Sequence, residues 1–271
     1  EAAAALPGIS MKLIFSEATP DYSSYIFPYV IWAFPEAGED LARIFDAGFL
    51  PSSRLLDRFY MARQVRVRLS EFKLSSENRR VLRKCEGVRW ELLPRDQFEF
   101  TAERRAAFKA YADERFGAGV MSDERLTELF RSPVVSHVLQ FQLASGEDAG
   151  TVVLLLHEGK FAFYYYAFYN LEHFERNLGM YMMLTTVKVF QEAQFEYLYL
   201  GTCYSERALY KTQFAGCEFF NGVCWSSDLR QLKYALRREV GKKHLLEDNG
   251  FMELFDPGHG KEWVEKHGIR R

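Results

Sequence analysis

The sequence predicts an α+β fold, a mixed sheet with flanking helices, together with a smaller N-terminal α+β unit. Three observations carry this. The stretch from residue 161 to Trp225 reads FAFYYYAFY, then LGMYMMLTTVKVFQEA, YLYLG, SERALYKTQF and EFFNGVCW. That is strand, glycine-opened helix, strand, helix, strand, with aromatic and β-branched runs where the strands fall and 3.6-residue periodicity where the long helix falls. Upstream, VVSHVLQFQLA and TVVLLLHEG flank Ser145-Gly-Glu-Asp, the pattern of an antiparallel hairpin. Near the start, Val65, Val67 and Leu69 alternate with Arg66 and Arg68, the period-two signature of a half-buried strand with a cationic outer face.

In chain order, residues 1–10 (EAAAALPGIS) precede Met11 and read as a linker outside the fold. Residues 11–95 form the N-terminal unit. Pro35-Glu-Ala-Gly-Glu-Asp opens a helix over about 36–47 with acids in its first turn, and Gly48 ends it. Ser75 or Ser76 caps the short helix SSENRRVLRK, whose exposed side carries Arg79, Arg80, Arg83 and Lys84. The junction lies near 95–102, marked by Pro94. The main domain spans 102–245, beginning with two helical segments, AERRAAFKAYADERFG and SDERLTELFR, and 246–271 is a C-terminal extension.

Composition bounds the function. At 271 residues the chain builds one or two domains, and its 24 Phe and 15 Tyr go mainly to core packing. A net charge of −2 exerts no global pull on nucleic acid, yet residues 54–89 hold 11 Lys/Arg against 4 acids, a local excess of +7. Arg230, Lys233, Arg237, Arg238, Lys242 and Lys243 make a second basic run. Cys85, Cys203, Cys217 and Cys224 show no CxxC spacing, as expected of unpaired thiols in a reduced, cytoplasmic protein. No apolar run approaches the ~18 residues of a membrane span, and no charged leader precedes an apolar segment. His137, His157 and His173 lack metal-ligand spacing, so no metal site is expected. There is no G-x-S-x-G for serine hydrolysis.

A glycine turn opening a helix between two strands presents backbone N–H groups to an anion. In this order of elements it resembles the donor site of GNAT acyltransferases, whose pattern is Arg/Gln-x-x-Gly-x-Gly/Ala. Here Arg176-Asn177-Leu178-Gly179-Met180-Tyr181 supplies the first two anchors, with Tyr181 at the third crowding the approach.

A second resemblance covers residues 20–225. Tyr199-Leu200-Gly201, Leu209, Tyr210-Lys211, Phe214, Glu218 and Trp225 are similar to the YLGY…M-x-YK-x-x-F-x-P-x-E…Trp stretch of the arginyl/leucyl-tRNA–protein transferases, with Gly216 in place of the Pro. Asn177-Leu178-Gly179 resembles that family's Ser-Leu-Gly, Gly48-Phe49 with Ser52 its GFRRSG, and Val65-Arg66-Val67 through Ser75–Arg80 its V-R-V…S-x-S-x-R-R. The chain departs from the family at Ser23, Phe59 and Ala62, where cysteines stand, and at Tyr166-Ala167-Phe168-Tyr169, where the family has Tyr-Asp-Pro.

The resemblance implies a GNAT-like fold and an aminoacyltransferase that moves an amino acid from aminoacyl-tRNA to an amine on a protein, peptide or small molecule. No cofactor is implied, with aminoacyl-tRNA as co-substrate and acetyl-CoA or another acyl-CoA as the alternative donor. Tyr210 is expected to protonate the departing ribose hydroxyl, Lys211 to contact donor phosphate, and Glu218 to orient Lys211 or hold the amine. Arg176, Asn177, Gly179 and Gly201 are expected at the donor, with a backbone N–H of the Tyr197–Gly201 strand facing the oxyanion. Arg66, Arg79, Arg80, Arg83 and Lys84 are expected to meet tRNA phosphates. Two other readings stand: an acyl-CoA-dependent N-acyltransferase, and a degenerate transferase retained as a binding module.

Overall fold

The computed structural model of the chain describes residues 11–15, 31–157, 159–171 and 177–237, with Gly250 and Glu253. The expected linker 1–10, Ser23, Arg176, His173, the basic residues 238–243 and, apart from those two positions, the 246–271 extension lie outside the described residues. The chain divides into two compact units: residues up to Val67 together with those from Leu200 onward, and Arg68–Tyr199. The expected junction at 95–102 falls inside the second unit.

The first unit opens with β1 (Met11–Phe15) and β2 (Ile31–Pro35), followed by α1 (Leu41–Asp46), β3 (Phe49–Pro51), β4 (Phe59–Met61) and β5 (Gln64–Arg68). The first four strands form an antiparallel sheet in the order β1-β2-β4-β3. Helix α1 is shorter than the 36–47 expected. The Asp40 carboxylate accepts the Ala42 N–H at 2.9 Å, starting the helix at Leu41, so the acids at 36 and 39 precede it. Ile44, Phe45, Phe49 and Phe59 are fully buried here, and Ala62 is 3% exposed, so two of the family's cysteine positions carry core-packing residues instead.

In the second unit come α2 (Ser76–Lys84), β6 (Arg89–Pro94), α3 (Ala102–Phe116), α4 (Asp123–Arg131), β7 (His137–Gln142), β8 (Asp148–His157), β9 (Phe161–Tyr169), α5 (Leu178–Glu192) and β10 (Tyr197–Thr202). Its strands lie in the order β10-β9-β8-β7-β6. β10 runs parallel to β9, while β9, β8, β7 and β6 are successively antiparallel. The sheet is therefore mixed, and the fold α+β, as the sequence predicts. A parallel neighbour requires a crossover, which α5 supplies.

Helix α5 is buried nearly all round, with Leu178, Met182, Met183, Leu184, Val187 and Phe190 inside. At about 1.5–3 kcal/mol for each large apolar side chain, that burial anchors the crossover. Phe100 stacks on Phe130 at 4.3 Å and Phe108 on Phe168 at 4.6 Å, which is where part of the aromatic excess goes. Among the described residues no helix is long and apolar enough to cross a membrane.

The chain returns to the first unit through a 3-10 turn (Glu206–Thr212), β11 (Cys217–Phe220), β12 (Trp225–Ser226) and α6 (Leu229–Arg237). β11 pairs antiparallel with both β12 and β5. This pairing overturns the half-buried reading of β5. Val65 and Val67 are fully buried on one face, and Gln64 and Arg66, at 0% and 3% exposed, are buried on the other.

Candidate active site

The register of β5 against β11 sets Arg66 opposite Glu218. Arg66 Nε donates to Glu218 Oε2 at 2.7 Å and Nη1 to Asp46 Oδ1 at 2.6 Å. The guanidinium also lies 3.8 Å from the centre of the Trp225 ring, and the Trp225 indole N–H donates to the Asp46 carbonyl at 2.7 Å. A charge this deep needs paired acceptors, and the fold supplies two carboxylates and an aromatic face. Arg66 is thus a buried, neutralised cation rather than the surface contact to tRNA expected of it.

Alternation along β11 sends Glu218 to the Arg66 face and its neighbour Cys217 to the other. Glu218 is accordingly paired with Arg66, where the expectation had it orient Lys211 or hold the amine. Lys211, in the 3-10 turn, donates from Nζ to the Thr202 carbonyl at 2.8 Å. Burial pushes its ammonium down to about 8 from the ordinary 10.5, with the Cys203 thiol acting weakly in the other direction. Burial also pushes the thiols up, that of Cys217 to about 12, so neither behaves as a reactive nucleophile.

Gly201, with φ +78°, occupies the left-handed region beside this lysine, and a Cβ there would stand 3.7 Å from Nζ. Cys203 N–H donates to the Arg63 carbonyl at 2.8 Å, and the Tyr204 hydroxyl accepts the Arg63 N–H at 2.9 Å. These bonds fasten the strand end that carries Lys211's acceptor. Tyr210, one residue before Lys211, is 45% exposed.

The donor-side residues lie in the second unit. Asn177 adopts a left-handed conformation (φ 58°) at the start of α5 and makes no side-chain cap. Gly179 is the second residue of the helix, and a Cβ there would come within 2.9 Å of the Tyr169 ring. Tyr181 does not crowd the helix start. Its ring packs edge-on to Phe141, and its hydroxyl donates to the Val88 carbonyl at 3.2 Å. Arg79, Arg80, Arg83 and Lys84 are all exposed on α2. Ser75 is the cap, completing a capping box with Asn78, and Arg80 pairs with Glu77.

The structure therefore brings together Arg66 with Glu218, and Lys211 with Gly201–Thr202. Sequence reasoning missed Asp46 as a partner of Arg66 and Cys203 as the neighbour of Lys211. An arginine set between two valines in a buried run was the available signal for the first.

The candidate residues are thus a glycine at the start of α5 in the second unit and, in the first, a buried lysine whose ammonium burial depresses. Residues 103–221 match the family model described as arginine-tRNA-protein transferase, C terminus. The chain is 27% identical over 169 residues to the aspartate/glutamate leucyltransferase of Chromobacterium violaceum, covering 60% of this chain and 68% of that protein. It is 25% identical over 178 residues to that of Cereibacter sphaeroides, covering 59% of this chain and 60% of that one. Over residues 103–221 the chain is thus similar to the C-terminal part of arginine-tRNA-protein transferases, and over a longer stretch to the leucyltransferases. Among solved structures it is similar to FemX (12% identity, TM-score 0.41, 65% of this chain and 64% of that one). It is also similar to a GCN5-related glucosamine N-acetyltransferase region of a fungal β-N-acetylglucosaminidase (9% identity, TM-score 0.39, 58% and 19%).

Proposed function

We propose that this chain moves an amino acid from an aminoacyl-tRNA to an amine on a protein, peptide or small-molecule acceptor. The observation that carries the reading is the family match over 103–221, which runs from α3 through the β9–α5–β10 crossover to the strand holding Glu218. The names of the relatives make leucine the first donor to try and aspartate or glutamate the first acceptor.

The chemistry asks little of a base. A peptide α-amine of pKa about 7.7–8.0 is already partly neutral near pH 7. It attacks the ester carbonyl, the C–N bond forms, the ester C–O bond breaks, and the ribose oxygen leaves needing a proton. Lys211, whose ammonium titrates at about 8, is suited to give that proton and regain it from the new amide nitrogen. This favours Lys211 over Tyr210 for the role. A backbone N–H at Gly201 would meet the oxyanion, and Asn177 and Gly179 would meet the donor's phosphate. The basic face of α2 would hold the tRNA, and no cofactor enters these steps.

The test is single-turnover transfer from radiolabelled leucyl-tRNA, then from a mixed aminoacyl-tRNA pool, to a peptide with an N-terminal Asp or Glu, with labelled acetyl-CoA in parallel. Acid-stable label from the tRNA is the expected result. Label arriving from acetyl-CoA alone would overturn the reading in favour of an acyl-CoA-dependent N-acyltransferase. Transfer from neither, with tRNA still bound, would make the chain a binding module.

A further inference from the structure

We propose that a groove in the second unit is a stacking site for an unpaired nucleobase of the donor RNA, an inference that rests on tRNA being the donor. The groove has a volume of about 380 Å³, enough for a nucleoside. Of the candidate active-site strand Tyr197–Gly201 only its first residue, Tyr197, borders the groove. Its walls are fastened. The Leu69 N–H donates to the Glu196 carbonyl at 3.0 Å, and the Gln191 side-chain amide donates to the carbonyls of both Leu69 and Phe72 at 2.9 Å. Gln194, at φ 59°, turns the chain out of α5 at the groove's edge.

The recognition surface is planar. The Arg68 guanidinium lies over the Tyr197 ring at 5.2 Å and is held there by Glu71 at 3.3 Å, with the side chain 36% exposed. A base laid on the outer face of that guanidinium continues a stack already begun. Around it Ser70, Gln191 and Gln194 carry hydrogen-bonding groups suited to a base edge, and the Glu196 carboxylate, paired with Lys160 at 2.7 Å, is suited to accept from an exocyclic amine.

The charged lining is one arginine, Arg68, already engaged by Glu71 and Tyr197, and one carboxylate, Glu196, so the groove offers a phosphate little and suits a base, with the backbone running elsewhere. Eight residues beyond Arg68, α2 begins, presenting Arg79, Arg83 and Lys84 to solvent, and both α2 and the Leu69–Glu71 turn pack on α5. One helix thus supports the base site and the basic face together.

The test uses the full chain and a short single-stranded RNA carrying one 2-aminopurine, whose fluorescence falls on stacking, with a duplex of the same length as comparison. Wild type is expected to quench the single strand, and Arg68→Ala to lose the quench and bind it roughly five- to a hundredfold more weakly. Arg68→Lys keeps the charge and is expected to lose the quench all the same, which a merely structural or electrostatic role would not produce. Thermal melts of both variants confirm that each is folded. Undiminished quenching in Arg68→Ala, or equal affinity for duplex and single strand with no quench, would overturn the proposal. The readout needs no aminoacyl group. A wild-type chain that stacks RNA but transfers nothing would sink the function reading and leave the groove standing.

Discussion

The guanidinium of Arg66 is held inside the first unit by Glu218, Asp46 and the face of Trp225. Such a pair gains little over apolar packing while intact and costs much when broken, because the surviving charge stays buried. Glu218→Ala is expected to lower stability by about 3 kcal/mol in urea unfolding, and the Arg66→Met/Glu218→Leu double variant to recover most of it. A double variant as unstable as the single one would mean that the pair's geometry, not charge burial, holds this region. Lys211 makes a second residue-scale case. It releases its proton at about 8 when folded and at about 10.5 when unfolded, so between those values the unfolded chain binds more protons. Stability contributed through this group therefore rises with pH across that window, and the penalty is present in full below it. Lys211→Met should flatten the rise and be more stable near neutral pH by about 1–3 kcal/mol. Parallel unfolding curves at pH 7 and about 9.5 would check this, and an unchanged slope in the variant would refute it.

At the scale of elements, what is legible in the sequence is what has a local cause. The hairpin of β7 and β8, the capped helices α3 and α4, and α5 each carry their own periodicity and end signals, and Thr101, Ser122 and Ser75 cap as their types suggest. The elements that stayed hidden depend on distant partners. β6 carries no clear alternation and exists because it pairs along its length with β7. β3 and β4 are three residues each, too short for a period to show. SERALYKTQF is helical as expected, but as a 3-10 turn over Glu206–Thr212. The candidate site divides in the same way. Lys211 and Glu218 could be picked out from a resemblance, but the partner of each could not. Arg66 and Glu218 stand 152 residues apart, and only the β5–β11 register joins them.

For the whole molecule, the distribution of charge matters more than its sum. The net charge is −2, and the +7 excess over residues 54–89 overstates what the surface offers, because Arg66 is buried and paired. Arg68 and Arg80 lean on Glu71 and Glu77. The exposed face of α2 remains, with Arg79, Arg83 and Lys84 beside the paired Arg80. Binding to an RNA through such a face releases counterions, so affinity must fall with salt in proportion to the phosphates engaged. Replacing Arg83 and Lys84 together by Ala is expected to weaken tRNA binding and to make the log–log salt slope shallower by roughly 2, about one for each phosphate no longer neutralised. Lys233→Ala, on an exposed position of α6, serves as a control for the removal of charge in general. Should both proteins shift the slope equally, the basic face of α2 has no privileged role. A slope that falls only for the α2 variant locates the RNA on the helix that the fold leaves charged.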